Sequence, residues 1–134
     1  MVSNFKVLVW KTEEDENPSL VTEWKNSKNL DCTFVSSVLG ESKEKVSAHK
    51  AIVTKYSPYL KNLIETSRNP IEVQYRVKII KSLVTLMYKH EVEVDKSDLE
   101  DIMNAAKEIH VDEMIWERQG DYKSHKANPN IIKK

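Results

Sequence analysis

The feature that most constrains this chain is a single β-prone run at its start. Phe5-Lys6-Val7-Leu8-Val9-Trp10 is dense in valine and aromatic side chains and reads as a strand. An acidic stretch from Glu13 to Glu16 follows it, and then a helical pattern, so no neighbouring strand stands beside it in sequence. A lone strand is not stable in water and has to pair with a distant edge of its own chain or with another copy. Phe5, Val7, Val9 and Trp10 are therefore candidate oligomer-interface residues.

The rest of the chain alternates short strands with helices. Asn17-Pro18 supplies an N-cap and a first-turn proline, and Leu20, Val21 and Trp24 follow at helical spacing, with an end near Asn26 to Asn29. Leu30 to Val35 and Glu44 to Ala48 flank Gly40, which predicts a β-hairpin turning around Leu39 to Ser42. From His49 the pattern is helical, and Ser57-Pro58 restarts a second helix with Tyr59, Leu60, Leu63 and Ile64 on its apolar face. Pro70 to Val73 is a short strand candidate. Val77, Ile80, Leu83, Val84, Met87 and Tyr88 mark the strongest amphipathic helix. Glu91-Val92-Glu93-Val94 alternates like an edge strand, which makes Glu91, Val92 and Val94 further interface candidates. Ser97 to Glu100 has the form of a capping box opening a helix through Ile109, and Val111 to Trp116 predicts one or two more helical turns. Short strands covered by helical hairpins make an α+β domain.

The length of 134 residues fits one domain. The expected division is a domain over 1–117, comprising an extension at 1–28 and a core at 29–117, followed by a loosely ordered polar tail at 118–134. Lysine plus arginine and aspartate plus glutamate both number 21, so the whole chain exerts no net pull on nucleic acid or anionic membrane. The charge is unevenly spread. Residues 118–134 hold five basic residues and one acid, leaving the body with 16 basic and 20 acidic residues, a net of −4. The sole cysteine, Cys32, has no internal disulfide partner and suits a reducing compartment. No apolar run has the length of a signal peptide core or a membrane span. The body is expected to bind neither nucleic acid nor membrane.

Four segments occur together in order: Asp31-Cys32-Thr33-Phe34, Ala48-His49-Lys50-Ala51-Ile52-Val53, Ser57-Pro58-Tyr59-Leu60 and Leu86-Met87-Tyr88-Lys89-His90-Glu91-Val92. In these the chain resembles the BTB/POZ family, over about Asn29 to Trp116. Phe5 to Trp10 followed by Leu20 to Trp24 resembles the N-terminal extension of the arthropod Tramtrack-type (lola-like) subgroup, although Lys11 to Asn17 departs from its usual sequence. The resemblance implies a BTB/POZ fold, a cluster of helical hairpins flanked by a short three-stranded sheet, with the N-terminal strand exchanged between subunits and Leu20, Val21 and Trp24 of the extension joining the oligomer interface. His90 stands where the family commonly has glycine, so a left-handed residue is expected there at a cost of roughly 1 kcal/mol.

The resemblance also implies a function. The expected role is a protein–protein interaction module mediating homo- and hetero-oligomerisation of a nuclear transcription or chromatin regulator. Its implied partners are itself, other BTB proteins and transcription cofactors; its implied location is the nucleus, with the cytoplasm as alternative. Asp31 and Lys50 match positions that form a charged groove in transcriptional members, and a structural ion pair is the competing role. The alternative function is a substrate adapter for a cullin-type ubiquitin ligase, for which Leu63-Ile64-Glu65 offers a weak hydrophobic-x-Glu match. No cofactor, metal or catalytic residue is expected. His49 and His110 lack ligands at metal spacing, Ser57 is explained by capping, and two glycines leave little material for a phosphate-binding loop.

Overall fold

The computed structural model describes residues 5–12 and 17–117. In chain order the elements are β1 (Phe5–Trp10), α1 (Pro18–Lys25), β2 (Cys32–Ser36), β3 (Val46–Ala48), α2 (Lys50–Tyr56), α3 (Pro58–Thr66), β4 (Ile71–Val73), α4 (Val77–Lys89), β5 (Glu91–Asp95), α5 (Leu99–Glu108) and β6 (Ile115–Glu117). The α+β architecture expected from the sequence is present, but with two three-stranded sheets, ordered β3-β2-β4 and β5-β1-β6, where one was anticipated.

The first sheet joins the antiparallel pair β2–β3 to β4, which runs parallel to β2. Its hairpin turns at Val38–Glu41, where Gly40 takes φ 86 and the Glu41 N–H donates to the Val38 carbonyl. The Glu41 carboxylate then accepts the Val77 N–H at 2.8 Å. A loop residue thus caps α4, whose own N-cap residue, Arg76, makes no side-chain cap. Buried along α4 are Ile79, Ile80, Leu83, Val84, Leu86, Met87 and Tyr88, which makes that helix the axis of the core.

The second sheet supplies the edges that β1 requires. β1 is its middle strand, antiparallel to β5 from Phe5↔Asp95 to Val9↔Glu91 and to β6 at Leu8↔Glu117 and Trp10↔Ile115. Within this chain, then, β1 pairs with its own β5 and β6, the intramolecular one of the two alternatives that an isolated strand leaves open. Strand β6 was missed because Val111 to Trp116 was expected to be helical. Only one 3-10 turn forms there, at Asp112–Met114, before the backbone extends. The side chains at Ile115 and Trp116 are β-prone, and the waiting edge of β1 decides their conformation.

Local signals were read well at Asn17 and Ser57, whose side-chain oxygens accept the N–H groups of Leu20 at 3.1 Å and Leu60 at 3.0 Å. His90 adopts the left-handed conformation expected of it, at φ 64 and ψ 16. The capping box at Ser97 to Glu100 does not form. A 3-10 turn spans Lys96–Asp98, and the side chain of Asp98 turns away from α5. It accepts from Arg76 at 2.8 Å and Lys78 at 3.0 Å, tying the start of α4 to the start of α5.

The Arg76 guanidinium, and after it the Lys78 ammonium, hold the Asp98 carboxyl below the usual carboxylate range. Its stabilising effect is therefore complete above the unfolded value of about 4 and is lost as pH falls from there through the depressed folded value. The carboxylate is 7% exposed while its two partners are 37% and 61% exposed. The loss in Asp98→Asn should accordingly lie below that of a fully buried pair, at about 1–2 kcal/mol at pH 7. Urea unfolding at pH 7 and pH 3 checks this: the gap to the parent chain should narrow at the lower pH, and an equal gap at both would contradict the assignment.

Candidate interaction surfaces

The twofold alternation of a strand divides β1 into two faces. Leu8 and Trp10 are 1% and 2% exposed and point into the core, where the Trp10 ring meets Tyr56 edge-on at 5.1 Å. Val7 and Val9 on the other face are half-buried, and Phe5 is 50% exposed. Among the interface candidates, Trp10, Val21 and Val94 belong to the chain's own core. Phe5, Val7, Val9, Leu20, Trp24, Glu91 and Val92 retain exposed surface. β5 is an edge strand, as its alternation suggested.

Helix α1 is fastened to the core by a buried polar chain. The Tyr88 hydroxyl accepts the His49 backbone N–H and lies 2.6 Å from His49 Nδ1. His49 Nε2 is 3.0 Å from the Lys28 carbonyl and 3.3 Å from the Glu23 carboxylate. These contacts are all satisfied when Tyr88 donates to Nδ1 and Nε2–H donates to Lys28, so the imidazole bridges the core and the end of α1. Trp24 stacks on the other part of Tyr88, with ring centroids 4.5 Å apart and planes 3° from parallel. Burial pushes the Tyr88 hydroxyl up to about 12, keeping it a neutral donor. The structural role expected of His49 is what this geometry provides.

The groove candidates Asp31 and Lys50 are adjacent, but not as an ion pair. Asp31 Oδ1 accepts the backbone N–H of Lys50 at 2.7 Å, capping α2, and both residues are exposed. Of the two roles expected, the direct ion pair is not formed: in water neither charge needs the other, whereas the N–H at a helix start needs an acceptor. Cys32 beside them is fully buried, and burial raises its thiol to about 11, leaving it protonated and unreactive.

Leu63 and Ile64 pack against the core with Glu65 exposed beside them on α3. Tyr59, expected on the apolar face of this helix, is 44% exposed, and Leu39 in the expected turn is 99% exposed. Leu39 sits at the apex of the β2–β3 turn, and only the turn geometry reveals that it has no core to enter. Among the described residues, no group of three or more His, Cys, Asp or Glu is placed to hold a metal ion. No described helix is long and apolar enough to cross a membrane. The basic tail at 118–134 lies outside the described residues.

The family model described as BTB/POZ domain matches residues 21–126, running past Glu117. Among solved structures, the BTB domain of zebrafish PATZ1 is similar in fold, with a TM-score of 0.58 and 18% identity over 72% of this chain and 78% of that one. No curated protein matches the chain.

Proposed function

Because the chain belongs to the BTB/POZ domain family, a family of protein–protein interaction modules, we propose that it self-associates through its N-terminal extension and pairs with other BTB proteins. The observation that carries this is the placement of β1. It is the middle strand of a sheet whose other members lie at the far end of the domain, and it joins α1 through residues 11–17. The pairings drawn within one chain are the same pairings that two copies make when they exchange β1, and such exchange generates an isologous dimer. Leu20 and Trp24 on α1 leave apolar surface beside it for the second copy to cover.

Val9 and Glu91 face each other across the β1–β5 ladder, and the native Cys32 is fully buried. Oxidised Val9→Cys/Glu91→Cys should therefore run as a covalent dimer on a non-reducing gel, with light scattering of the parent giving the mass of at least two chains. A monomeric parent at micromolar concentration would overturn self-association. A cross-linked monomer would place β1 in its own chain and leave association to α1.

The role within the cell is read as that of a nuclear transcription or chromatin regulator, recruiting transcription cofactors. Support for it comes from the Tramtrack-like succession of Phe5 to Trp10 and Leu20 to Trp24. The cullin-adapter alternative draws less support, because Leu63 and Ile64 are engaged with the core instead of being presented with Glu65.

A further inference from the structure

Ser97 is exposed, and its hydroxyl makes no hydrogen bond among the described residues. The hydroxyls of the exposed Ser37 and Ser42, by contrast, are held by the Val73 carbonyl and the Glu44 N–H. Glu100, the side chain that a capping box would turn back toward Ser97, is also exposed and has no partner among the described residues. Downstream of Ser97 the first, third and fourth positions are the carboxylates Asp98, Glu100 and Asp101, and the only base within three residues on either side is Lys96. An accessible serine followed by carboxylates at these positions complements the basic peptide groove of an acid-directed protein kinase. A kinase that reads a run of basic residues ahead of its serine finds a single lysine there.

The backbone gives a phosphate at this serine a place to act. The 3-10 turn Lys96–Asp98 runs directly into α5, so the two form one helical stretch in which Ser97 is the second residue and the extended Asp95, at ψ 142, stands ahead of the first. Neither Asp95 nor Asp98 caps this stretch with its side chain. Lys78 engages both carboxylates and Arg76 engages Asp98 as well, which draws them toward α4. The N–H groups of the first turn are thus left without an acceptor from either one. A phosphate on Ser97 brings strong acceptor oxygens and between about 1.5 and 2 negative charges to the positive end of the helix. Asp98 and Asp101 stand nearby, but their charge is already matched by Arg76 and Lys78.

We propose that Ser97 is a phosphorylation site for an acid-directed serine kinase, and that its phosphate caps the helical stretch leading into α5. In the transfer, Ser97 Oγ bonds to the γ-phosphorus of ATP as the bond from that phosphorus to the ADP oxygen breaks. ADP leaves, and the hydroxyl proton passes to the catalytic carboxylate of the kinase. Ser97 lies outside the residues assigned to self-association, so the modification stands apart from that reading.

The test incubates the full chain with ATP and an acid-directed serine kinase and locates phosphate by mass spectrometry of its peptides. The peptide carrying Ser97 should gain a single phosphate, and in Ser97→Ala that gain should be absent. Glu100→Lys keeps the hydroxyl and alters only an exposed side chain, and it should lose most of the incorporation at Ser97. In the phosphorylated chain the Ser97 and Asp98 amide signals should move downfield, with a displacement that titrates at about pH 6, where a phosphoserine takes up its second proton. A Ser97 left unmodified by a kinase that turns over an acidic control peptide overturns the proposal, as does incorporation that Glu100→Lys leaves unchanged. Amide signals that stay in place after phosphorylation overturn the capping.

Discussion

Trp10→Ala should cost about 3–5 kcal/mol of unfolding free energy, the range for removing a large aromatic side chain from a packed core. The ring is 2% exposed, sits edge-on to Tyr56, and belongs to the strand that holds β5 and β6 together. A small domain has a total stability of about 5–15 kcal/mol, so the loss takes a large share of it. Phe5→Ala on the opposite face of the same strand provides the contrast. That side chain is 50% exposed, and its removal should cost within about 0.5 kcal/mol. Urea denaturation of both variants measures the difference, and equal costs would mean that β1 does not present alternate residues to core and solvent as described. Deleting the whole strand is a poor test of oligomerisation for the same reason, because it removes Leu8 and Trp10 from the core along with any surface offered to a partner.

A second large effect is expected from Tyr88→Phe. The substitution keeps the ring that stacks on Trp24 and removes only the hydroxyl, leaving the His49 backbone N–H and Nδ1 without their partner in a buried site. Each unsatisfied buried group costs about 1–3 kcal/mol, so a total of about 2–6 kcal/mol is expected for the two. The same change should loosen α1, because His49 Nε2 reaches Lys28 and Glu23 only while the ring is held in place. Amide exchange across α1 should rise more than exchange across β2. A double-mutant cycle with His49→Ala should give a coupling energy above about 0.5 kcal/mol, and strict additivity would show that the two side chains act independently.

These two sites also show where sequence reasoning succeeds and where it stops. The caps at Asn17 and Ser57 and the left-handed turn at His90 were legible because each depends on residues within a few positions of itself. The amphipathic period of α4 was legible for the same local reason. The expected capping box at Ser97 does not form: a 3-10 turn at Lys96–Asp98 moves the start of α5 past Ser97, and the Asp98 carboxylate at that start is engaged by Arg76 and Lys78, about twenty residues earlier. Glu41 does the reverse at α4, supplying from a distant loop the acceptor that Arg76 does not provide.

From the sequence alone came the α+β class, the family resemblance, the amphipathic and capped helices and the requirement of Phe5 to Trp10 for a partner edge. Periodicity and capping carry such information because they are set by neighbouring residues. Only the tertiary structure decided which edges meet β1, turned Ile115 to Glu117 into a strand, and made Asp31 a cap for α2 instead of an ion-pair partner for Lys50. Those outcomes depend on which backbone donors and acceptors remain unsatisfied after the core has closed, a condition that no stretch of residues expresses by itself.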